Sequence, residues 1–201
     1  MFSTIDHGEE WARAYDGLYE DRDHIPTLVD FVRTRTDPAV LLELGVGTGR
    51  LAIPLAKAGV RTYGVDSSPA MLARLRAKDP DGLVTTFLAD MIEPPVNAAF
   101  GCVLIACDTL SLLPDRSAMA RCFTGAAQRL SADGRLIVEG LLPDPDRWTE
   151  QATSGRVLRP DELDLLAGNA TLRLTERYED YAQRPLTPGS ATCVSVYQRV
   201  L

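Results

Sequence analysis

Histidine, cysteine and basic charge are all scarce in this chain of 201 residues, and each scarcity excludes a class of function. Only His7 and His24 are present, too few to build a histidine-rich metal site. The four cysteines, Cys102, Cys107, Cys122 and Cys193, show neither CxxC nor CxxH spacing. Each sits in an apolar segment, which reads as a small buried thiol rather than a zinc ligand or half of a disulfide. No metal is expected. Basic residues number 21 against 28 acidic ones, a formal net charge of −7, and no basic run interrupts that balance. Nucleic-acid binding depends on Lys and Arg neutralising phosphates, so no nucleic-acid partner is expected. Long apolar runs are missing as well. The stretch around Val103–Ile105 is cut by Asp108, well short of the ~18 residues a membrane helix needs. The opening residues Met1 to His7 have neither a charged n-region nor an apolar h-region, so the expectation is a cytoplasmic protein with no membrane partner.

What is present is an ordinary globular composition, 45% hydrophobic and 24% charged, with a length that predicts one domain at roughly 100–200 residues per domain. Trp11, Tyr15, Leu18 and Tyr19 recur at helical spacing, and a second helix is predicted from about Pro26, stopping before Asp37-Pro38. The pattern then alternates. Short continuous apolar runs at Val40–Leu42, Thr62–Val65, Val84–Leu88, Gly101–Ala106 and Leu136–Val138 predict strands. Helices separate most of them: one through Leu51 and Leu55, shortened or kinked by Pro54; one opened by Ser67-Ser68-Pro69; and one through Met119 to Leu130, capped by Ser117 or Asp115. Asp161–Ala167 reads as a short helix, followed by strands over 171–178 and 192–198. Continuous rather than alternating apolar strands imply a mostly parallel, doubly wound α/β sheet, with the last two strands as an antiparallel hairpin. The expected division is 1–37 as cap helices, 38–142 as a ligand-binding half, and 143–201 as a short loop and helix plus closing strands.

Ligands of such sheets bind beyond the carboxyl ends of the strands. The sequence there is Leu42-Glu43-Leu44-Gly45-Val46-Gly47-Thr48-Gly49-Arg50. Its glycines allow a tight strand-to-helix turn with a ligand against bare backbone. Their spacing is Gly-x-Gly-x-Gly, not the Gly-x-Gly-x-x-Gly that shelters a pyrophosphate. Glu43 would repel a diphosphate but suits a ligand carrying an ammonium and a sulfonium, which favours S-adenosylmethionine over NAD. Asp66 ends the second strand, where a carboxylate can accept both ribose hydroxyls, and Asp90-Met91 lies just past the third, where an acceptor and a backbone N–H can read an adenine edge. Each acid alone serves equally well as a helix cap or a solvated loop residue. Together they are in register with the glycine turn.

These segments resemble the class I S-adenosylmethionine-dependent methyltransferases, small-molecule type, over nearly the whole chain. Residues 41–50 are similar to that family's first motif, Gly64-Val65-Asp66-Ser67-Ser68-Pro69-Ala70-Met71-Leu72 to its second-strand motif, Phe87-Leu88-Ala89-Asp90-Met91 to its adenine motif, and residues 130–136 to the turn before strand five. The resemblance implies a seven-stranded Rossmann-like fold with S-adenosylmethionine as cofactor and S-adenosylhomocysteine as product. Gly45, Gly47 and Gly49 would pack on the methionine moiety beside Glu43, with Asp66 on the ribose, Asp90 with the Met91 amide on adenine, and Ser67 and Met71 among the cofactor-binding residues. Cys107 and Asp108 would face the methionine part and the opening to substrate. Tyr15-Asp16-Gly17-Leu18-Tyr19 is similar to a Tyr-bearing helix that caps the cofactor in small-molecule members. Tyr15 is thus a candidate contact, although core packing explains that helix equally well.

Two departures from the family pattern shape the expected chemistry. Many members carry an Asn/His-rich stretch after strand four, whereas this chain reads Cys107 to Pro114 without a histidine. No catalytic residue is assigned; the base candidates elsewhere are Tyr19, His24, Glu139 and Tyr178. Without a strong base, a neutral amine or an already acidic oxygen or sulfur is the favoured acceptor atom. The stretch after strand five is also short, so the acceptor site is expected to lack a multi-strand lid and to be closed by the N-terminal helices and the loop from Pro143 to Arg159, which carries Arg147, Trp148 and Arg156. The expected partner is a small-molecule substrate, with a homodimer compatible. The competing functions are a cofactor-binding protein without methyl transfer and, disfavoured by Glu43, an NAD-dependent oxidoreductase.

Overall fold

A computed structural model describes residues 9–18, 24–96, 98–142 and 158–200, with side chains in the first helix described at 12 and 14–17. Seven strands form one sheet in the order β3-β2-β1-β4-β5-β7-β6. They are β1 (Val40–Leu44), β2 (Arg61–Asp66), β3 (Val84–Leu88), β4 (Phe100–Ile105), β5 (Leu130–Leu141), β6 (Leu172–Tyr178) and β7 (Thr192–Arg199). The first five run parallel, and β7 inserts antiparallel between β5 and β6. The strand order reverses between β1 and β4, so the loops leaving these two strands diverge and open a crevice at their carboxyl ends.

The helices are α1 (Glu9–Leu18), α2 (Ile25–Arg33), α3 (Ala52–Lys57), α4 (Pro69–Lys78), α5 (Arg116–Arg129) and α6 (Pro160–Asn169), with a 3-10 turn η1 (Thr109–Leu112) after β4. Leu42, Leu44, Val103 and Ile105 face α5 and α6, whereas Leu41, Cys102 and Leu104 face α2 and α3. This two-sided burial is why the central strands are apolar without alternation. Every residue of β4 is buried, and each fully buried Leu or Phe contributes about 2 kcal/mol. The caps follow local chemistry. The Ser68 hydroxyl accepts the Met71 N–H ahead of Pro69, and the Asp115 carboxylate accepts the Ala118 N–H. Pro54 sits in the first turn of the six-residue α3, where its missing N–H costs no helical bond, and the helix stops at Lys57 ahead of the left-handed Gly59. The fifth strand begins at Leu130, directly after α5, six residues earlier than the apolar run at Leu136 suggests; β-pairing of Leu130 with Phe100 accounts for the extension.

Two polar clamps hold the N-terminal helices to this frame. On α1, Asp16 accepts hydrogen bonds from the Thr48 hydroxyl (2.6 Å) and Lys78 Nζ (2.8 Å), with Arg74 Nε at 3.6 Å. Partial burial acts against its charge, but these partners prevail and hold the carboxyl below its ordinary range. At the far edge of the sheet, Arg35 lies 3.7 Å over the Phe31 ring and reaches both oxygens of Glu176 on β6. Tyr178 and Tyr181 meet the same ring edge-on. Among the described residues no helix is long and apolar enough to cross a membrane, and no group of His, Cys, Asp and Glu could hold a metal ion.

The seam of β4 leaves no space for a side chain at Gly101. A Cβ there would lie 2.0 Å from the Pro38 carbonyl oxygen and 2.6 Å from the Asp37 carbonyl carbon. Gly101→Ala should therefore cost about 3 kcal/mol of stability, read as a lower urea midpoint. A variant as stable as the parent would show that the loop before β1 gives way freely.

Candidate cofactor and acceptor site

The carboxyl ends of β1, β2, β4 and β5 bring the site together. At the end of β2, Asp66 takes the Gly47 N–H on Oδ2 and the Ser68 N–H on Oδ1, both at 2.8 Å. One carboxylate thereby fixes both the glycine turn and the start of α4, while each oxygen keeps a second lone pair. The turn needs its glycines for different reasons. Gly45 (φ 78°) would clash with Thr109 at 2.2 Å if it carried a Cβ. Gly47 (φ 53°) has open space there, the exposed backbone a ligand can lie against.

Glu43, on β1, is 4% exposed, and its Oε2 has no hydrogen-bond partner. Burial pushes its carboxyl up to about 8; nearby Arg50 pulls the other way and Asp66 adds to the rise. A buried carboxylate oxygen without a donor is costly unless a cation meets it. Arg50 follows the glycine turn and spans the crevice. Its Nη2 donates to Cys107 Sγ at 2.6 Å, its Nη1 lies 3.3 Å from His24 Nε2, and the Tyr15 hydroxyl is hydrogen-bonded to it.

After β4, Cys107 and Asp108 are both left-handed (φ 56°), a conformation that costs non-glycine residues about 1–3 kcal/mol each unless neighbours hold it. The Cys107 N–H donates to Glu139 Oε2 at 2.8 Å, and that oxygen also accepts the Tyr181 hydroxyl at 3.1 Å. Burial pushes the Cys107 thiol up to about 12, with Glu139 adding to the rise, so the sulfur facing Arg50 is a neutral thiol. Tyr181 is held well above its ordinary value by burial and by Glu139, so it remains a phenol that donates. Asp108 accepts the Leu141 N–H on Oδ1 (3.1 Å) and the Ser111 hydroxyl on Oδ2 (2.6 Å), and burial raises its carboxyl.

The structure thus brings Tyr15, Glu43, Gly45, Gly47, Asp66, Cys107, Asp108, His24 and Glu139 to one end of the sheet. Gly49 packs against Leu75 and Ile53, and Met71 is buried on α4; both support the turn from behind. Ser67 is exposed beside Asp66. Asp90 is exposed past β3, its Oδ1 holding the Ile92 N–H at 2.8 Å, with Met91 next to it. Tyr178 stands apart: its hydroxyl donates to Glu176 within the α2–β6 clamp. Tyr19, Arg147, Trp148, Arg156 and the expected closing loop from Pro143 lie outside the described residues, as does the side chain of Trp11. Arg50 and Tyr181 are the site residues the sequence reading missed. Arg50 closes the quoted glycine motif and could have been found by asking what balances Glu43, whereas nothing local marks Tyr181.

The donor set suits a zwitterionic amino-acid end joined to a nucleoside: a buried acid with one oxygen lacking a partner, a cation across from it, bare backbone between them, and a carboxylate at the next strand end. Residues 41–134 match the family model described as a methyltransferase domain. A provisionally named methyltransferase of Geobacillus sp. (strain WCH70) is 39% identical over 101 residues, covering 49% of this chain and 41% of that protein. This chain spans about two fifths of the length of the curated relatives it matches. The CcbJ methyltransferase from Streptomyces caelestis superposes with a TM-score of 0.82 at 28% identity, covering 89% of this chain and 90% of that one. CalS10, an amino pentose methyltransferase from Micromonospora echinaspora solved with S-adenosylmethionine bound, has a TM-score of 0.71 at 18% identity and shares the fold over 92% of this chain and 95% of its own.

The buried acid has a consequence for stability. The unfolded chain loses the Glu43 proton near 4.5, but the folded chain keeps it to about 8. The folded state therefore holds the extra proton between these values, and this contribution to stability falls as pH rises through that window. Urea denaturation at stepped pH should show Glu43→Gln flattening the fall, and an unchanged slope would mean that Glu43 does not carry it.

Proposed function

We infer that this chain, a member of the class I S-adenosylmethionine-dependent methyltransferase family, transfers a methyl group to a small-molecule acceptor, at nitrogen or at an already acidic oxygen or sulfur. The reading rests above all on the buried Glu43 oxygen that lacks a donor, set opposite Arg50 beside the Asp66-tied turn. In this account Glu43 pairs with the cofactor's ammonium, while Arg50 and Tyr15 take its carboxylate. Gly45 and Gly47 let the methionine end lie on backbone, with Gly49 and Met71 backing the turn. Asp66, with its two remaining lone pairs and Ser67 alongside, takes the ribose hydroxyls; Asp90 and the Met91 amide take adenine. Cys107 closes the methionine end at the strand-four turn.

Bound there, S-adenosylmethionine supplies a methyl group on a sulfonium, whose sulfur departs as the neutral thioether of S-adenosylhomocysteine. The chain's own part is to bind, orient and desolvate, and positioning alone can supply about 7–11 kcal/mol of a displacement barrier. None of the base candidates among the described residues is poised for strong base chemistry. His24 Nε2 already faces Arg50, Glu139 Oε2 already accepts two hydrogen bonds, and Tyr178 belongs to a distant clamp. This arrangement favours acceptors that need little or no deprotonation.

Calorimetry should detect S-adenosylhomocysteine binding and no NADH binding, and S-adenosylhomocysteine should accumulate from S-adenosylmethionine with members of an amine, phenol and acid panel. Asp66→Ala should weaken S-adenosylhomocysteine binding about a hundredfold, near 3 kcal/mol. Unchanged affinity would remove Asp66 from the ribose contact. Binding without turnover of any acceptor would favour a cofactor-binding protein that transfers no methyl group.

A further inference from the structure

The connection between β6 and β7 turns one aromatic side chain inward. Its own hydrogen bonds close it: the Glu179 N–H donates to the Arg184 carbonyl (2.8 Å), Arg184 Nε to Asp180 Oδ2 (2.7 Å), and the Thr192 hydroxyl to the Glu179 carbonyl (2.7 Å). Arg184 stays exposed, whereas Tyr181 is buried edge-on against Phe31 of α2, with ring centroids 5.4 Å apart. The Tyr181 hydroxyl ends at Glu139 Oε2, the same oxygen that takes the Cys107 N–H. From there the contacts continue into the crevice. Cys107 Sγ accepts from Arg50 Nη2, the cation assigned above to the cofactor's carboxylate.

We propose that Tyr181 is a positioning residue for the cofactor: acting through Glu139, it holds the Cys107 turn in the arrangement that presents Arg50 to the methionine end. The inference rests on the methyl-transfer reading and deepens it, adding a residue that works from behind the site. Glu139 is half-buried on β5, where Ile105 pairs with Val138, so it stands level with the residues leaving β4. A glutamate side chain rotates about several bonds, and a single hydrogen bond from Cys107 leaves it room to swing. Arg50 lies within electrostatic reach of Glu139. A carboxylate released from the turn is drawn to that cation and competes there with the carboxylate of a ligand. The phenol prevents this by fixing Oε2 between two donors.

The surroundings of Tyr181 suit that task. Phe31, Ile137, Val194 and Val196 belong to the same buried cluster, so the core sets the direction of its hydroxyl. Burial above all, with Glu139 adding to the rise, keeps it a phenol that donates. What it supports needs support, because Cys107 is left-handed and holds that conformation through its N–H bond to Glu139. Tyr178, at the end of β6, provides the contrast. Its ring also meets Phe31 edge-on and its hydroxyl also donates to a carboxylate, Glu176, but from there the contacts lead to Arg35 and stop in the outer clamp. The two tyrosines share a ring environment and differ in what their hydroxyls hold.

The test is calorimetry of S-adenosylhomocysteine binding to the full chain. Tyr181→Phe should weaken binding about tenfold, while the urea midpoint stays within about 0.5 M of the parent because the ring and its packing are kept. Tyr178→Phe should change the affinity by less than about twofold. In a Glu139→Leu background, which offers the hydroxyl no oxygen, Tyr181→Phe should cause no further loss, the non-additivity expected of residues acting through one another. Unchanged affinity in Tyr181→Phe, equal losses in the two tyrosine variants, or losses that add in the double variant would overturn the proposal. If the variants do not fold, the wild-type chain decides. The Tyr181 hydroxyl proton and the Cys107 amide proton point at one oxygen, so NMR should show cross-relaxation between them with S-adenosylhomocysteine bound, and its absence would overturn the proposal. Failure of the wild-type chain to bind S-adenosylhomocysteine would contradict the methyl-transfer reading instead, so the two failures remain distinct.

Discussion

A carboxyl group buried at the end of a central strand, with one oxygen lacking any hydrogen-bond partner, is the constraint around which this molecule is organised. Glu43 occupies a strand position that its neighbours Leu42 and Leu44 fill with fully buried leucines, so its placement serves no packing purpose. Its surroundings hold the charge in check without satisfying it. Arg50 lies within electrostatic reach but spends its named hydrogen bonds on Cys107, Tyr15 and His24. Asp66, the other acid close enough to matter, orients the Gly47 turn that leaves bare backbone open beside it. The fold supplies rigidity on every side: fully buried β4 next door, α1 pinned through Asp16, and α2 clamped through Arg35.

Much of this was legible in the amino-acid order because it is local. The reversal of the sheet follows from apolar runs alternating with helices, and the antiparallel end follows from two late strands with no helix between them. Ser68 and Asp115 cap the helices their positions indicated. Asp66 announces itself as the polar residue ending an apolar strand. Tyr181 was not legible: it reaches Glu139 across 42 positions from the connection between β6 and β7, and its only local signature is a tyrosine in a polar, proline-bearing stretch. Tyr178, three residues earlier, looked like the better candidate and is instead drawn to Glu176 and the Phe31 ring. Strand pairing decides between such neighbours, and pairing is a long-range property.

The two sides of the Cys107-Asp108 turn differ in the same way. The cofactor half is written in contiguous motifs, and the match to a methyltransferase domain covers residues 41–134, the span that carries them. The far side of the Cys107-Asp108 turn is assembled from η1, the end of β5 and α6, segments far apart in the chain that meet only in the fold. The left-handed pair Cys107-Asp108 is the joint between them. It is held by Glu139 on one side and by Ser111 and Leu141 on the other, so its uncommon conformation is supported from both sides.

The central claim is that a ligand ammonium completes Glu43. Calorimetry of S-adenosylhomocysteine binding in buffers of different ionisation enthalpy tests it most directly. A cation arriving at a carboxyl raised to about 8 must drive off its proton, so the apparent enthalpy near neutral pH should vary with the buffer and cease to vary in Glu43→Gln. An enthalpy identical in every buffer, with binding intact, would contradict the account.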